Sequence, residues 1–132
     1  MEKVTILDLS LHVDDRGWVA WPFADMAFEQ TQLRRVHLPC MKPGAVRGNH
    51  YHPSTVEFAL ILTGPCRALF EDNETGERQE LLLPVHTPVL FKISANVTHA
   101  FKNESSHNIL LLCYEQRADS TPDEGTCRKI IL

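Results

Sequence analysis

Gly44-Ala-Val-Arg-Gly-Asn-His50-Tyr51-His52-Pro-Ser-Thr-Val-Glu57-Phe-Ala-Leu-Ile-Leu-Thr-Gly64 is the stretch that decides the fold. Two glycines frame a His-x-His pair and a carboxylate. In a β-strand successive side chains point to opposite faces, so His50 and His52 look the same way. A third imidazole follows in His99-Ala-Phe-Lys-Asn103, on a segment where Val97, His99 and Phe101 share one apolar row. Three imidazoles and one carboxylate facing a common interior form an N3O donor set for a divalent transition metal such as Zn, Fe, Mn or Ni. The predicted ligands are His50, His52, Glu57 and His99.

Outward from this stretch the chain reads as short apolar or alternating runs bounded by Pro, Gly, Asn and Asp. Strands are predicted at 4–8, 18–21, 33–38, 48–51, 56–63, 66–71, 77–83, 89–92, 97–102 and 109–115. Asp72-Asn-Glu-Thr-Gly76 is a hairpin loop by its turn residues. Residues 23–31 are the one stretch that suits a helical turn, and 118–126 read as a polar tail. In 56–63 both faces are largely apolar, so the face turned away from Glu57 needs a cover, either a sheet or a second subunit. A homodimer is the expectation.

Composition bounds the function. A chain of 132 residues is one domain, able to bury roughly two thirds of its unfolded surface. The predicted organisation is N-terminal strands to about residue 40, a core over 41–116 and a tail over 117–132. Net charge is -4, which offers no basic field for nucleic acid. No apolar run is long enough to span a bilayer. Cys40, Cys66, Cys113 and Cys127 are scattered without a CxxC pair and read as small hydrophobes in a reduced, cytoplasmic protein.

The spacing from Gly44 to Gly64 closely resembles the first motif of the cupin superfamily: glycine, five residues, HxH, three or four residues, glutamate, six residues, glycine. Of the second cupin motif only the end is kept, as His99 and Asn103; its glycine, proline and glycine positions hold Pro88, Ser94 and Asn96. Asn96 can adopt the left-handed turn that the missing glycine would supply. The resemblance implies an all-β, single-domain cupin, a double-stranded β-helix or jelly-roll barrel. Arg47-Gly-Asn-His-Tyr-His52 and Asp15-Arg-Gly17 resemble the nucleotide-sugar cupins: 3,5-epimerases, 3,4-ketoisomerases and the cupin domain of capsule-synthesis reductases.

By that resemblance His50 is the base that removes a proton beside a sugar ketone, and His52 shares in the proton transfer. Arg47 helps hold the nucleotide diphosphate, and Arg35, sharing a face with His37, is a further candidate for substrate binding. Ketoisomerases of this kind work without a metal, whereas the reductase-fused cupins hold one on the His and Glu set. Imidazole suits the chemistry because its ordinary pKa lies near neutrality. The epimerases' tyrosine and His-Asp dyad have no clear counterpart; Tyr51 should face away from the pair, and Tyr114 is the other tyrosine. The expected activity is epimerisation or isomerisation of a nucleotide-linked keto sugar. A metal-dependent oxygenase and a noncatalytic small-molecule binder are the alternatives. His12, His86 and His107 read as surface residues.

Overall fold

A computed structural model describes residues 1–23, 32–117 and 124–132. Its regular structure is strand: β1 (Val4–Leu7), β2 (His12–Asp14), β3 (Gly17–Val19), β4 (Leu33–His37), β5 (Cys40–Met41), β6 (Val46–Tyr51), β7 (Val56–Ile61), β8 (Cys66–Asp72), β9 (Arg78–Leu83), β10 (Val89–Ile93), β11 (Val97–Asn103), β12 (Ile109–Gln116) and β13 (Cys127–Arg128). Every predicted strand is present. The sequence reading lacks β2, β5 and β13, which at two or three residues are too short for alternation to register. The helical turn expected at 23–31 and most of the tail at 118–126 lie outside the described residues. Beyond it, β13 pairs with β6.

Two antiparallel sheets make the body. One runs β1-β10-β7-β12-β4, with β5 also on β12; the other runs β13-β6-β11-β8-β9. Apart from the β8–β9 hairpin, neighbours in a sheet are distant in sequence, which is the connectivity of a jelly roll. In that hairpin the carboxylate of Asp72 accepts from the Glu74 amide at 2.9 Å, and Gly76 takes a positive φ of 76°. β2 and β3 form a separate small hairpin.

Alternation builds the core. Ala59 and Ile61 of β7, Phe91 and Ile93 of β10, and Leu111 and Cys113 of β12 meet Ala68 and Phe70 of β8 and Val97 and Phe101 of β11. The other face of β7 is covered within the chain. Phe58 and Leu60 pack with Leu90, Tyr114, Leu9 and Ala20. The Trp21 amide donates to the Leu9 carbonyl at 2.8 Å, and the Tyr114 hydroxyl donates to the Pro22 carbonyl at 2.9 Å. Each large apolar side chain buried there contributes about 1.5–3 kcal/mol. The two-sided apolar character of 56–63 therefore follows from the N-terminal segment, and that face gives no ground for a second subunit.

Asn103, the end of the second motif, is a buried anchor. Its Nδ2 donates to the carbonyls of Met41 and His107 at 2.9 and 2.7 Å, and its Oδ1 accepts from the amide and hydroxyl of Ser105 at 2.8 and 2.7 Å. It fixes the turn between β11 and β12 and leaves no atom for chemistry.

Candidate active site

β6 and β11 bring the first two imidazoles together. His50 and His99 sit opposite each other in the ladder, their rings 4.7 Å apart and nearly perpendicular. The register shifts beside this pair, and Asn49, at a φ of 54°, is the extra residue of the bulge. Gly48 before it has a φ of 91°, and a Cβ there would stand 2.6 Å from the His99 carbonyl oxygen. That oxygen and the Ala100 Cα, 3.1 Å away, are both backbone. Gly48→Ala is expected to cost about 1–3 kcal/mol from the positive φ and a similar amount from the clash. A fall in melting temperature checks this; an unchanged variant would mean that the close approach is not required.

The carboxylate enters from the other sheet. The chain crosses between the sheets at residues 53–55, so HxH lies on one wall and Glu57 on the facing wall, opposite Glu115 of β12. The rings of His50 and His52 lie 5.3 Å apart on the same side of the strand. Glu57 Oε2 is 2.7 Å from His52 Nε2 and 3.0 Å from His99 Nε2. One donor atom from each of His50, His52, Glu57 and His99 lies within 4.8 Å of the others. Asn96 takes a φ of 62°, and its amide donates to the His52 carbonyl at 2.8 Å, so the turn lacking its glycine still braces the histidine pair.

This cluster fits a metal. His99 is buried with Nδ1 3.2 Å from the Val97 carbonyl. Its Nε2 is buried 3.0 Å from Glu57 Oε2 and, among the described residues, has no partner in hydrogen-bonding geometry. An orphaned imidazole nitrogen beside a carboxylate and two more imidazoles is the donor set a first-row divalent ion takes.

Electrostatics separates the histidines. Burial, then the nearby His99, pushes His50 down to about 4, so it is neutral at neutral pH. Burial also pulls His52 down, but its bond to Glu57 and the charges of Glu57 and Glu115 outweigh that and raise it. Burial alone would raise Glu57; His99 and the bond with His52 instead hold it well below the usual carboxylate range. For His50 the sign follows from linkage: between its ordinary value of 6.5 and about 4 the unfolded chain binds a proton that the folded chain refuses. Stability of the metal-free protein is expected to fall as pH drops through that window. Thermal melts across it, wild type beside His50→Gln, should show the slope flattened in the variant; equal slopes would remove His50 as the source.

A cavity of about 390 Å³ opens on the cluster, lined by His37, Arg47, His50, Glu57, His99 and Cys113 among others. That volume suits a small-molecule cleft. His52 lies behind, off the lining. Arg47 lines the cavity, its Nε donating to the Cys40 carbonyl at 3.0 Å. Arg35 does not line it: the positive φ of 53° and the register shift in β4 break the alternation, and Nη1 stands 3.7 Å from Glu115 Oε1. Tyr114 is buried in the outer cluster, stacked on Phe58 at 5.0 Å, which takes it away from the pocket. Tyr51 turns to Cys127. Neither tyrosine lines the cavity; the His–carboxylate pair present is His52–Glu57. His12, His86 and His107 are exposed. Cys66 and Cys113 are buried and their thiols pushed up to about 12, mainly by burial, whereas Cys40 and Cys127 are half-buried, short of the buried hydrophobes expected. The sequence reading missed Glu115 and His37. Glu115 is buried 3.9 Å from His52 Nδ1. Its inward place could be found from its sharing a row with Leu111 and Cys113.

The comparisons agree with this architecture. A family model described as the polysaccharide biosynthesis C-terminal domain matches residues 12–124. No curated protein matches the sequence. The fold is similar to that of the capsular polysaccharide assembling protein CapF from Staphylococcus aureus, with a TM-score of 0.64 and 21% identity over 96% of this chain and 35% of CapF. It therefore spans about a third of that protein's length. The 3,4-ketoisomerase QdtA from Thermoanaerobacterium thermosaccharolyticum, solved in a mutant form with TDP-4-keto-6-deoxyglucose, has a TM-score of 0.73 and 15% identity over 98% of this chain and 89% of that one. The dTDP-6-deoxy-D-glucose-3,5-epimerase RmlC from Legionella pneumophila, solved with dTDP-4-keto-L-rhamnose, has a TM-score of 0.69 and 15% identity over 96% of this chain and 72% of that one. The shared fold is the cupin jelly roll. With the family model matched over residues 12–124 of 132, the chain belongs to the polysaccharide biosynthesis C-terminal domain family.

Proposed function

We propose that the pocket takes a nucleotide-linked keto sugar and moves a proton at the carbon beside the ketone, with a divalent transition metal held by the His and Glu cluster. The observation that carries this is the convergence of four donor atoms beneath an open cavity, one of them the orphaned Nε2 of His99. His52, Glu57 and His99 are the buried three and would hold the ion, leaving His50 at the cavity wall free to act as a base. Bound there, the ion supplies a Lewis acid for the ketone oxygen.

The remaining work falls to the chain's own residues. Neutral His50, at the cavity wall, accepts the proton beside the ketone. Arg47 offers a guanidinium to the diphosphate at the rim. The fold shared with QdtA and RmlC, each solved with a TDP-linked keto sugar, supports that substrate class.

Elemental analysis of untagged protein, with thermal shift against TDP- and UDP-linked keto sugars, tests the reading. About one ion per chain and a shift with a keto sugar are expected. Iron together with oxygen uptake would favour an oxygenase instead, because an N3O set also suits iron. Binding without proton exchange would leave a noncatalytic binder. No metal after reconstitution would leave His50 and His52 as acid and base alone.

A further inference from the structure

His52 is the one member of the cluster that the cavity does not reach, and its second nitrogen faces the C-terminal segment. Nδ1 stands 3.3 Å from the Thr126 hydroxyl oxygen, and the ring also bonds to the backbone of Gly125. Glu115 Oε1 is further off, at 3.9 Å. The segment reaches this place because β13 adds to the sheet beside β6, pairing Cys127 with Tyr51 and Arg128 with His50. Several bonds hold it down. The Lys129 amide donates to the Asn49 carbonyl at 2.8 Å, and Asn49 Oδ1 accepts from the amides of Ile131 and Leu132 at 2.8 and 3.1 Å. The Lys129 ammonium donates to Glu71 Oε1 and Asn73 Oδ1 at 2.5 and 2.7 Å. Asn49 is the bulge residue next to His50, so one side chain ties the strap to the histidine strand.

We propose that residues 125–132 are a strap belonging to the metal site, and that Thr126 is the positioning residue of His52. The inference rests on reading the four-donor cluster as a metal site. A neutral imidazole carries one N–H and one lone pair, and its outer torsion is broad and two-fold, so the ring alone does not choose which nitrogen faces inward. The strap makes the choice. By accepting at Nδ1, Thr126 with Gly125 fixes the ring with Nε2 toward Glu57 and His99, where it donates to Glu57 and would present its lone pair once an ion takes the place of that proton. Thr126 is itself exposed, so its packing contributes little to the core. Outer partners of ligating histidines are worth 10–100-fold in metal affinity.

Zinc affinity by chelator competition on the full chain tests this, wild type beside Thr126→Val and Thr126→Ser. Thr126→Val keeps the shape and removes the hydroxyl, leaving the Gly125 backbone alone at the ring; it is expected to lose about tenfold in affinity and to alter the visible spectrum of the cobalt-substituted protein. Thr126→Ser should restore both. Wild-type affinity in Thr126→Val, or a Thr126→Ser variant as weak as Thr126→Val, would overturn the proposal. Failure of the wild type to bind zinc or cobalt would overturn the metal reading, and the strap with it. That outcome is told apart from failure of the strap alone, in which the wild type binds and all three proteins bind alike.

Discussion

Glu57→Ala is expected to empty the site and to destabilise the domain by about 3–5 kcal/mol, the usual cost of removing one partner of a buried ionic pair. Glu57 is buried between two walls, with Oε2 within 3.0 Å of the Nε2 atoms of His52 and His99. Without the carboxylate, His52 loses the partner that raises its pKa, and two imidazoles face each other across a buried gap. The proposed metal would then be lost for two reasons: the one carboxylate of the cluster is gone, and the remaining nitrogens have nothing to draw them inward. Elemental analysis and denaturant melts check both parts. Glu57→Gln separates them, since the amide keeps the volume and can still bond to His52 but is a poor ligand for a divalent ion. Near-stoichiometric metal in Glu57→Ala would show that Glu57 is no ligand and that the cluster is a hydrogen-bonded dyad.

His50→Ala should behave in the opposite way: fold and metal kept, proton exchange lost. His50 is the least buried member of the cluster and lines the cavity, and three donors remain without it. Catalytic metal sites commonly hold their ion on three protein ligands. Loss of the base should slow exchange of solvent deuterium into a nucleotide-linked keto sugar by 10²–10⁴-fold. Mass spectrometry of the recovered sugar reads the exchange, and elemental analysis reads the metal. Unchanged exchange would take His50 out of the mechanism. Metal lost along with exchange would instead place His50 in the ligand set, leaving the base to another residue of the cavity such as His37.

Much of the molecule was legible in one dimension because two of its governing constraints are local. The alternation of side chains along a strand puts His50 and His52 on one side and His99 in the row of Val97 and Phe101, whatever the strands pair with. Turn chemistry is likewise local: Asp72 to Gly76 closes its hairpin, and Asn96 takes the positive φ of the glycine it replaces. Other placements depend on partners far along the chain. Counting residues puts Arg35 on one face with His37, and a bulge opposite Tyr114 breaks that alternation.

Sequence by itself determined the β class, the longer strands in their order and the membership of the His50, His52, Glu57 and His99 cluster, because period-two patterning and the HxHxxxxE spacing are carried by neighbouring residues. Tertiary structure alone decided that Glu57 faces the histidines from the opposite sheet and that Tyr114 turns outward beneath Pro22. It also decided that Glu115 and Thr126 stand beside His52. Those placements follow from how two sheets pack and where a late strand adds to an edge. They are set by contacts between residues up to 92 positions apart, which no local pattern encodes.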